Sequence, residues 1–456
     1  MRKGGVSLGL SVLALAAASP AAAQAQELAP YDRAIAAGYK ALTLCSGIFN
    51  AGRTPEQMAG DELRGTYPQY DALLPSLDAV VDRANGRVSV AFDSALPARR
   101  AEWQAARGCT ILPIGATGGD GQAPAPITGA DPRPWPMGDK GIGTKIAAPL
   151  AATIATAFDA KSFGAGTNTT GIVVVQDGKI VGERYRAGFG PFVAQRTWSV
   201  AKSMTGTLVG MAVQQGVVAT AAPAPIPEWG PAARDPRSAI TIDNLLRMAS
   251  GLHSATAGNR TDALYFGGTA VTEETTGWPI EALPGSRFRY ANNDTLLAVR
   301  SLRAALGEEA YQAFPRTALF DKLGMRHTVA EADWRGNFIL SSQVWSTARD
   351  LARLGMLYLN KGVWNGERLL PENWTDYVTA PSGPQPEGEF GYGASFWLLN
   401  RSAGVPVDSY AAFGNRGQYV VIVPSRNIVI VRRGEDPTGA RFDVAGFTAK
   451  ILATIR

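Results

Sequence analysis

Histidine and cysteine are almost missing from this chain, with two of each among 456 residues. His253 and His327 are isolated from each other and from Cys45 and Cys109, so no metal-ligand spacing exists and neither a metal nor a cofactor is expected. A Ser-His-Asp triad would have to recruit one of those two histidines, yet the chain has no Gly-x-Ser-x-Gly elbow to present its serine. Both histidines are expected to hydrogen-bond within loops. Lysine- and arginine-rich runs are also absent. The formal net charge is +5, and without Arg2 and Lys3 it is 5 − 2 = +3, too weak and too scattered for a nucleic-acid partner. Past the first 25 residues, no uninterrupted apolar stretch is long enough to span a bilayer.

What is present begins with a leader. Arg2 and Lys3 precede a mostly apolar run, Val6 to Ala18, and then the small-residue sites Ala21-Ala22-Ala23 and Ala23-Gln24-Ala25. Residues 1–25 therefore read as a secretory signal peptide cleaved after Ala23 or Ala25. The run is too short for a membrane anchor, and no cysteine follows it to take a lipid. Export to the periplasm or the medium places Cys45 and Cys109 in an oxidising compartment, which predicts a Cys45–Cys109 disulfide. The hydrophobic share of 46% and charged share of 18% are those of an ordinary globular protein with room for two domains.

Residues 27–112 read as a small N-terminal domain. Tyr31 to Leu44 has helical spacing, Arg87 to Phe92 alternates like a strand, and Thr110-Ile111-Leu112 is a second short strand. Residues 113–145, rich in Gly, Pro and Ala, read as a linker or a loop laid over the next domain. The domain over 146–456 opens with a helix at Leu150–Phe158. A hairpin follows, with strands at Gly171–Val175 and Lys179–Tyr185 around Asp177-Gly178, a type I′ turn signal. Helical patterns then dominate: Ser199–Gln215, Thr241–Ala249, Asn293–Leu306, Glu308–Leu323 with a break expected at Pro315, and Thr347–Leu359 with a capping box of Thr347 and Asp350. Strand patterns return at Gly391–Asn400, Tyr410–Phe413, Gln418–Val423 and Ile428–Arg432, and Ala440–Ile455 closes as a helix. The fold class is α+β: one antiparallel sheet built from both chain ends, flanked by helices, with a helical region inserted.

Three short elements carry chemistry. Trp198-Ser199-Val200-Ala201-Lys202-Ser203 opens a helix, and residues three apart share a helix face, so the Ser199 hydroxyl and Lys202 amine point into one space. A serine is a poor nucleophile without a base, and lysine can be that base only if burial or a positive neighbour lowers its pKa. Tyr290-Ala291-Asn292 follows a Pro-Gly turn and offers a phenol that can shuttle a proton and an amide that can hold the amine or a substrate carbonyl. Gly414-Asn415-Arg416-Gly417-Gln418 enters a strand, where a backbone N–H at Gln418 could join that of Ser199 as an oxyanion hole. Trp198, Trp345, Tyr392 and Trp397 are candidates for a pocket mouth or for plain packing.

These elements and their order resemble the serine β-lactamase and penicillin-binding superfamily, and within it the class C β-lactamase-related esterases, peptidases and amide hydrolases, nylon-oligomer hydrolases included. Ile240–Leu246 leading to Ser250-Gly251-Leu252, Leu319–Met325 and Ser346–Leu351 are similar to family segments as well. The resemblance covers roughly residue 150 to the C-terminus. It implies an acyl-enzyme on Ser199, Lys202 and Tyr290 as the acid–base pair, Asn292 holding substrate and Lys202, and oxyanion donors at Ser199 and Gln418. Asn415, Arg416 and Gly417 stand where the β-lactamases carry Lys-Thr-Gly or Lys-Ser-Gly. The missing lysine favours a small ester, amide or peptide substrate without an obligatory carboxylate, with Arg416 an alternative source of that charge. β-Lactamase or D-amino-acid peptidase activity, or a sensor that acylates without turnover, are the alternatives.

Overall fold

The structure is a computed structural model that describes Met1 and residues 28–104, 106–118, 129–143, 145–231, 234–253 and 261–455. The expected leader, apart from Met1, lies outside the described residues.

A seven-stranded antiparallel sheet forms the centre, in the spatial order Gly391–Tyr392, Trp397–Leu398, Tyr410–Gly414, Gln418–Val423, Ile428–Gly434, Thr169–Gln176, Lys179–Tyr185. The strands from the end of the chain thus pair with the early hairpin, Val431 facing Val173 and Ile430 facing Val174. The hairpin turns at Asp177 and Gly178, with φ of 48° and 73°, as a type I′ turn requires. Period-two alternation sorts the two central strands between two cores. Val173, Val175, Val429 and Val431 join the core under the central helix, while Ile172, Val174, Ile428 and Ile430 join the one under the closing helix. These strands read as continuous apolar runs because both faces are covered.

The central helix, Val200–Gln214, is buried from Val200 to Ala212. It lies between the sheet and a helical layer that includes Asn292–Leu306, and the Ala348–Leu359 helix packs on the same face of the sheet. On the opposite face lie Ala148–Thr156 and the closing helix Val444–Thr454. Pro315 does not stop its helix: Glu308–Phe314 passes into a wider π-helical turn over Pro315–Phe320, which absorbs the missing N–H. Only half of the expected capping box forms at the Ala348–Leu359 helix. Thr347 Oγ1 accepts from Asp350 N–H at 3.1 Å, but the Asp350 carboxylate is drawn to Arg353 (2.8 Å), Thr328 Oγ1 (2.9 Å) and His327 N–H (3.0 Å) instead.

At the N-terminus, the helix Pro30–Phe49 packs on a four-stranded antiparallel sheet running in sequence order from Ala79–Asp82 to Gly108–Ile111. Cys45 and Cys109 are bridged, Cα to Cα 6.0 Å, and tie that helix to the last strand. The strand Arg99–Gln104 escapes sequence reading because its buried residues include Arg99 and Glu102. Glu102 is neutralised by Arg87 and Arg100, at 2.9 and 2.7 Å. The apolar core here runs without a break into Trp198, Tyr265, Phe266, Leu296 and Trp345 of the following region. Residues 129–143 contact the Asp177-Gly178 turn and the Ala348–Leu359 helix: the Trp135 indole N–H donates to Gly178 O at 2.8 Å, and Arg353 donates to Pro136 O and Gly138 O at 2.6 and 2.9 Å.

Candidate active site

A small three-stranded sheet positions Ser199. Gln195–Arg196 pairs with Val344–Ser346, and Thr197 N–H reaches Val344 O at 2.7 Å. Trp198 then adopts φ of 51°, and the chain turns sharply so that Ser199 caps the central helix with its hydroxyl unused as a cap. A non-glycine residue in that left-handed region signals a constrained turn. Trp198 is held there by Arg196, whose guanidinium lies 3.7 Å from its ring centroid.

One turn along, Lys202 is 1% exposed. Its Nζ lies 3.1 Å from Ser199 Oγ, 2.6 Å from Asn292 Oδ1 and 3.0 Å from Ser341 O. Burial is the main cause that lowers its pKa to about 7, and the positive charge of Arg196 lowers it further. No carboxylate is among those three neighbours. A neutral amine has two N–H donors and one lone pair. The amide oxygen of Asn292 and the carbonyl of Ser341 can only accept. They take the two donors and leave the lone pair for the Ser199 hydroxyl, which is the arrangement a general base needs.

Tyr290 is half-buried, with Lys202 Nζ 5.1 Å from its ring centroid. Burial raises its pKa, while the adjoining Ser199 side chain and Trp397 oppose the rise. The phenol therefore stays protonated at neutral pH. Its ring packs against Trp397 and Tyr392 at 5.3 and 6.1 Å. Asn292 is the first residue of its helix, so its position follows the helix start. Two residues on, Asp294 accepts from Ser250 Oγ (2.8 Å), which fastens the Ser250-Gly251-Leu252 loop to the start of this helix. Burial raises the Asp294 pKa to about 7.

The third element is brought to the site in a different register from the one read in sequence. Gly414 is the residue that abuts the nucleophile: a Cβ there would lie 2.4 Å from Thr197 O and 3.2 Å from Ser199 N. Asn415 is exposed and follows directly. Gly417, read as a substrate or oxyanion residue, faces away; a Cβ on it would strike Arg432 Nη1 at 1.6 Å and Asp436 Oδ2 at 2.2 Å. Gln418, its backbone N–H read as the second oxyanion donor, is 0% exposed and pairs with Gly414 across the strands; its side-chain amide is bound to Arg416 O, Gly434 O and Arg433. Arg416 is also buried and turned from the site, bound instead to backbone carbonyls. The motif turn is three residues long, and its tight φ values rotate each successive side chain in a way strand alternation does not anticipate.

A family model described as beta-lactamase matches residues 152–452. The chain belongs to the beta-lactamase family. As a member of this family of serine hydrolases, it is 26% identical over 302 residues to a 6-aminohexanoate-dimer hydrolase of Paenarthrobacter ureafaciens, a match covering 59% of this chain and 74% of that protein. Its fold is similar to that of a D-alanine carboxypeptidase from Burkholderia cenocepacia (TM-score 0.50, 18% identity, 67% of this chain and 98% of that one). It is similar also to a class C beta-lactamase (TM-score 0.50, 16% identity, 68% and 96%).

Sequence reasoning missed three participants. Arg196 sits three residues ahead of the serine, and an Arg-Thr-Trp-Ser run is the one hint available. Ser341 contributes a backbone carbonyl and has no side-chain signal. Tyr265 fixes Ser341 by a 2.6 Å hydroxyl contact. Of the pocket-mouth aromatics, Trp345 and Tyr392 are core residues at 1% and 2% exposure. His253 is paired with Glu281, and His327 packs beside Phe192 at 5.5 Å.

Proposed function

We propose that the protein is an exported serine hydrolase that cleaves an ester or amide bond through an acyl-enzyme on Ser199. The observation that carries this reading is the amine of Lys202, buried among two acceptor oxygens and the Ser199 hydroxyl with no carboxylate to keep it charged. Ser199 Oγ attacks the carbonyl carbon as its proton passes to Lys202 Nζ. The oxyanion forms against the N–H of Ser199 at the helix start and the N–H of Asn415 after Gly414. As the tetrahedral intermediate collapses, the bond to the leaving group breaks and that group takes a proton from Tyr290. The Lys202 ammonium restores the proton to the phenol. Water then repeats the sequence on the ester of Ser199, releasing the acid and the free hydroxyl.

Arg416 does not offer its charge to a substrate, which supports esters and amides lacking a required carboxylate over β-lactams. The curated relative's action on a 6-aminohexanoate dimer makes short linear amides the first substrates to try. The Cys45–Cys109 bridge supports export, and no helix among the described residues is long and apolar enough to cross a membrane. The test is labelling by a fluorophosphonate together with turnover of a chromogenic short-chain ester and an amide panel, each against Ser199→Ala. Labelling and turnover that vanish in the variant are expected. An unlabelled, inactive wild-type protein would end the enzyme reading, and fast nitrocefin hydrolysis would end the substrate preference.

A further inference from the structure

No catalytic motif lies ahead of residue 146, and the family match starts at residue 152. The N-terminal segment is nevertheless in contact with both flanks of the nucleophile. On one flank Arg416 has φ of 55° and is 6% exposed. Its guanidinium donates to Asp61 O (3.1 and 3.2 Å), Glu62 O (3.1 Å) and Arg64 O (2.9 Å), three carbonyls of the N-terminal segment. It also reaches Asp436 O and Glu435 O at 3.2 Å each, and the Glu435 carboxylate at 2.7 Å. On the other flank, the Tyr67 ring lies 6.5 Å from the ring of Trp198, whose φ is 51°.

Two non-glycine residues in the left-handed region thus bracket the site, one before Ser199 and one after Asn415. Such conformations persist only where surrounding contacts over-determine them. For both residues part of those contacts comes from residues 61–67. Residues 61–64 are themselves braced, Tyr39 Oη donating to Glu62 O at 2.5 Å; outside them, Thr438 binds Gly65 O and Thr66 O at 2.7 and 2.9 Å.

We propose that residues 61–64 are a positioning element of the hydrolytic site: by gripping Arg416 they hold the Gly414–Asn415 wall against Ser199. The inference rests on the acyl-enzyme reading above. An oxyanion donor acts only if it is already in place when charge develops, and a displacement near 1 Å can cost about 100-fold in rate. The N-terminal segment supplies that placement from outside the family fold. Arg416 is a positioning residue, since it touches neither substrate nor the reacting atoms.

The experiment uses the full chain. Arg416→Lys keeps a charge for Glu435 but cannot span three carbonyls. Its kcat on a chromogenic ester should fall about tenfold, with KM within about twofold and the fluorophosphonate labelling rate falling in parallel. Thr438→Val cuts a bond of the same interface away from the turn and should leave kcat unchanged. A wild-type kcat in Arg416→Lys overturns the proposal, as does an equal loss in Thr438→Val, because the interface as a whole would then be responsible. Should Arg416→Lys not fold, Tyr39→Phe, which loosens the Glu62 carbonyl without moving a charge, carries the test: a fall in kcat of about twofold or more at unchanged melting temperature supports it, and an unchanged kcat overturns it. Wild-type protein that neither labels nor turns over would instead refute the acyl-enzyme reading.

Discussion

Lys202 Nζ and Asn292 Oδ1 are 2.6 Å apart, and the partner is a neutral amide. A neutral amide oxygen orients the amine and favours its ammonium form far less than a carboxylate would, so burial and then Arg196 decide the proton's position. The amine stays close to half-protonated near neutrality, where a general base is most effective.

Asn292→Asp should reverse this. A carboxylate in the same place keeps Lys202 charged, so kcat/KM at pH 7 should drop by about 100-fold and the acid limb of its pH profile should move upward by two or more units, roughly. A pH–rate series compares the two enzymes. An unchanged limb would mean that Lys202 is not the base.

The wild-type acid limb should have its midpoint near the Lys202 pKa of about 7, with activity rising as the amine loses its proton. Arg196→Met removes a positive neighbour, which makes the ammonium form less costly and raises that pKa. The limb should therefore shift to higher pH, by up to about one unit. A limb that moves downward or stays fixed would remove Arg196 from the site.

Gly414 and Gly417 should respond differently to one methyl group. In Gly414→Ala the new Cβ meets Thr197 O and Ser199 N, so labelling and kcat should fall by about tenfold or more. In Gly417→Ala it meets the Arg432–Asp436 pair at φ of 75°, so melting temperature should fall by several degrees, about what a loss of 1–2 kcal/mol gives. Thermal melts and labelling rates, measured side by side, separate the two.

Replacing Cys45 and Cys109 by serine opens a loop of sequence separation 64. The chain-entropy model puts the loss at about 4 kcal/mol. Denaturant unfolding of the double variant against the oxidised protein checks it, and equal midpoints would show that the bridge adds nothing.

Much of the family region, residues 152–452, was legible from local pattern. The Asp177-Gly178 hairpin, the helix that begins after Ser199 and the strands at Tyr410–Gly414, Gln418–Val423 and Ile428–Gly434 are short-range signals, and they formed where the spacing predicts. The expected strand Gly391–Asn400 instead folds back on itself as two short strands, Gly391–Tyr392 and Trp397–Leu398. The strand Arg99–Gln104 was not legible, because its buried Arg99 and Glu102 read as surface residues until their partners are known. The third motif was legible as a place but not as a register. Which of Gly414 or Gly417 meets Ser199 depends on how a three-residue turn rotates between paired strands.

The sequence by itself determined that Ser199 and Lys202 face the same way, since they are joined by one helical turn and need nothing distant. It also determined the order of elements that lets both chain ends share a sheet. Only the tertiary structure decided the state of the pair. The depressed pKa of Lys202 comes from burial and then from Arg196, while Asn292 and Ser341 converge from separate elements to orient the amine. The turn at Arg416 is likewise gripped by carbonyls more than 350 positions away in the chain. Solvent exclusion and backbone carbonyl contacts leave no pattern in residue types, so they become visible only once the chain has folded.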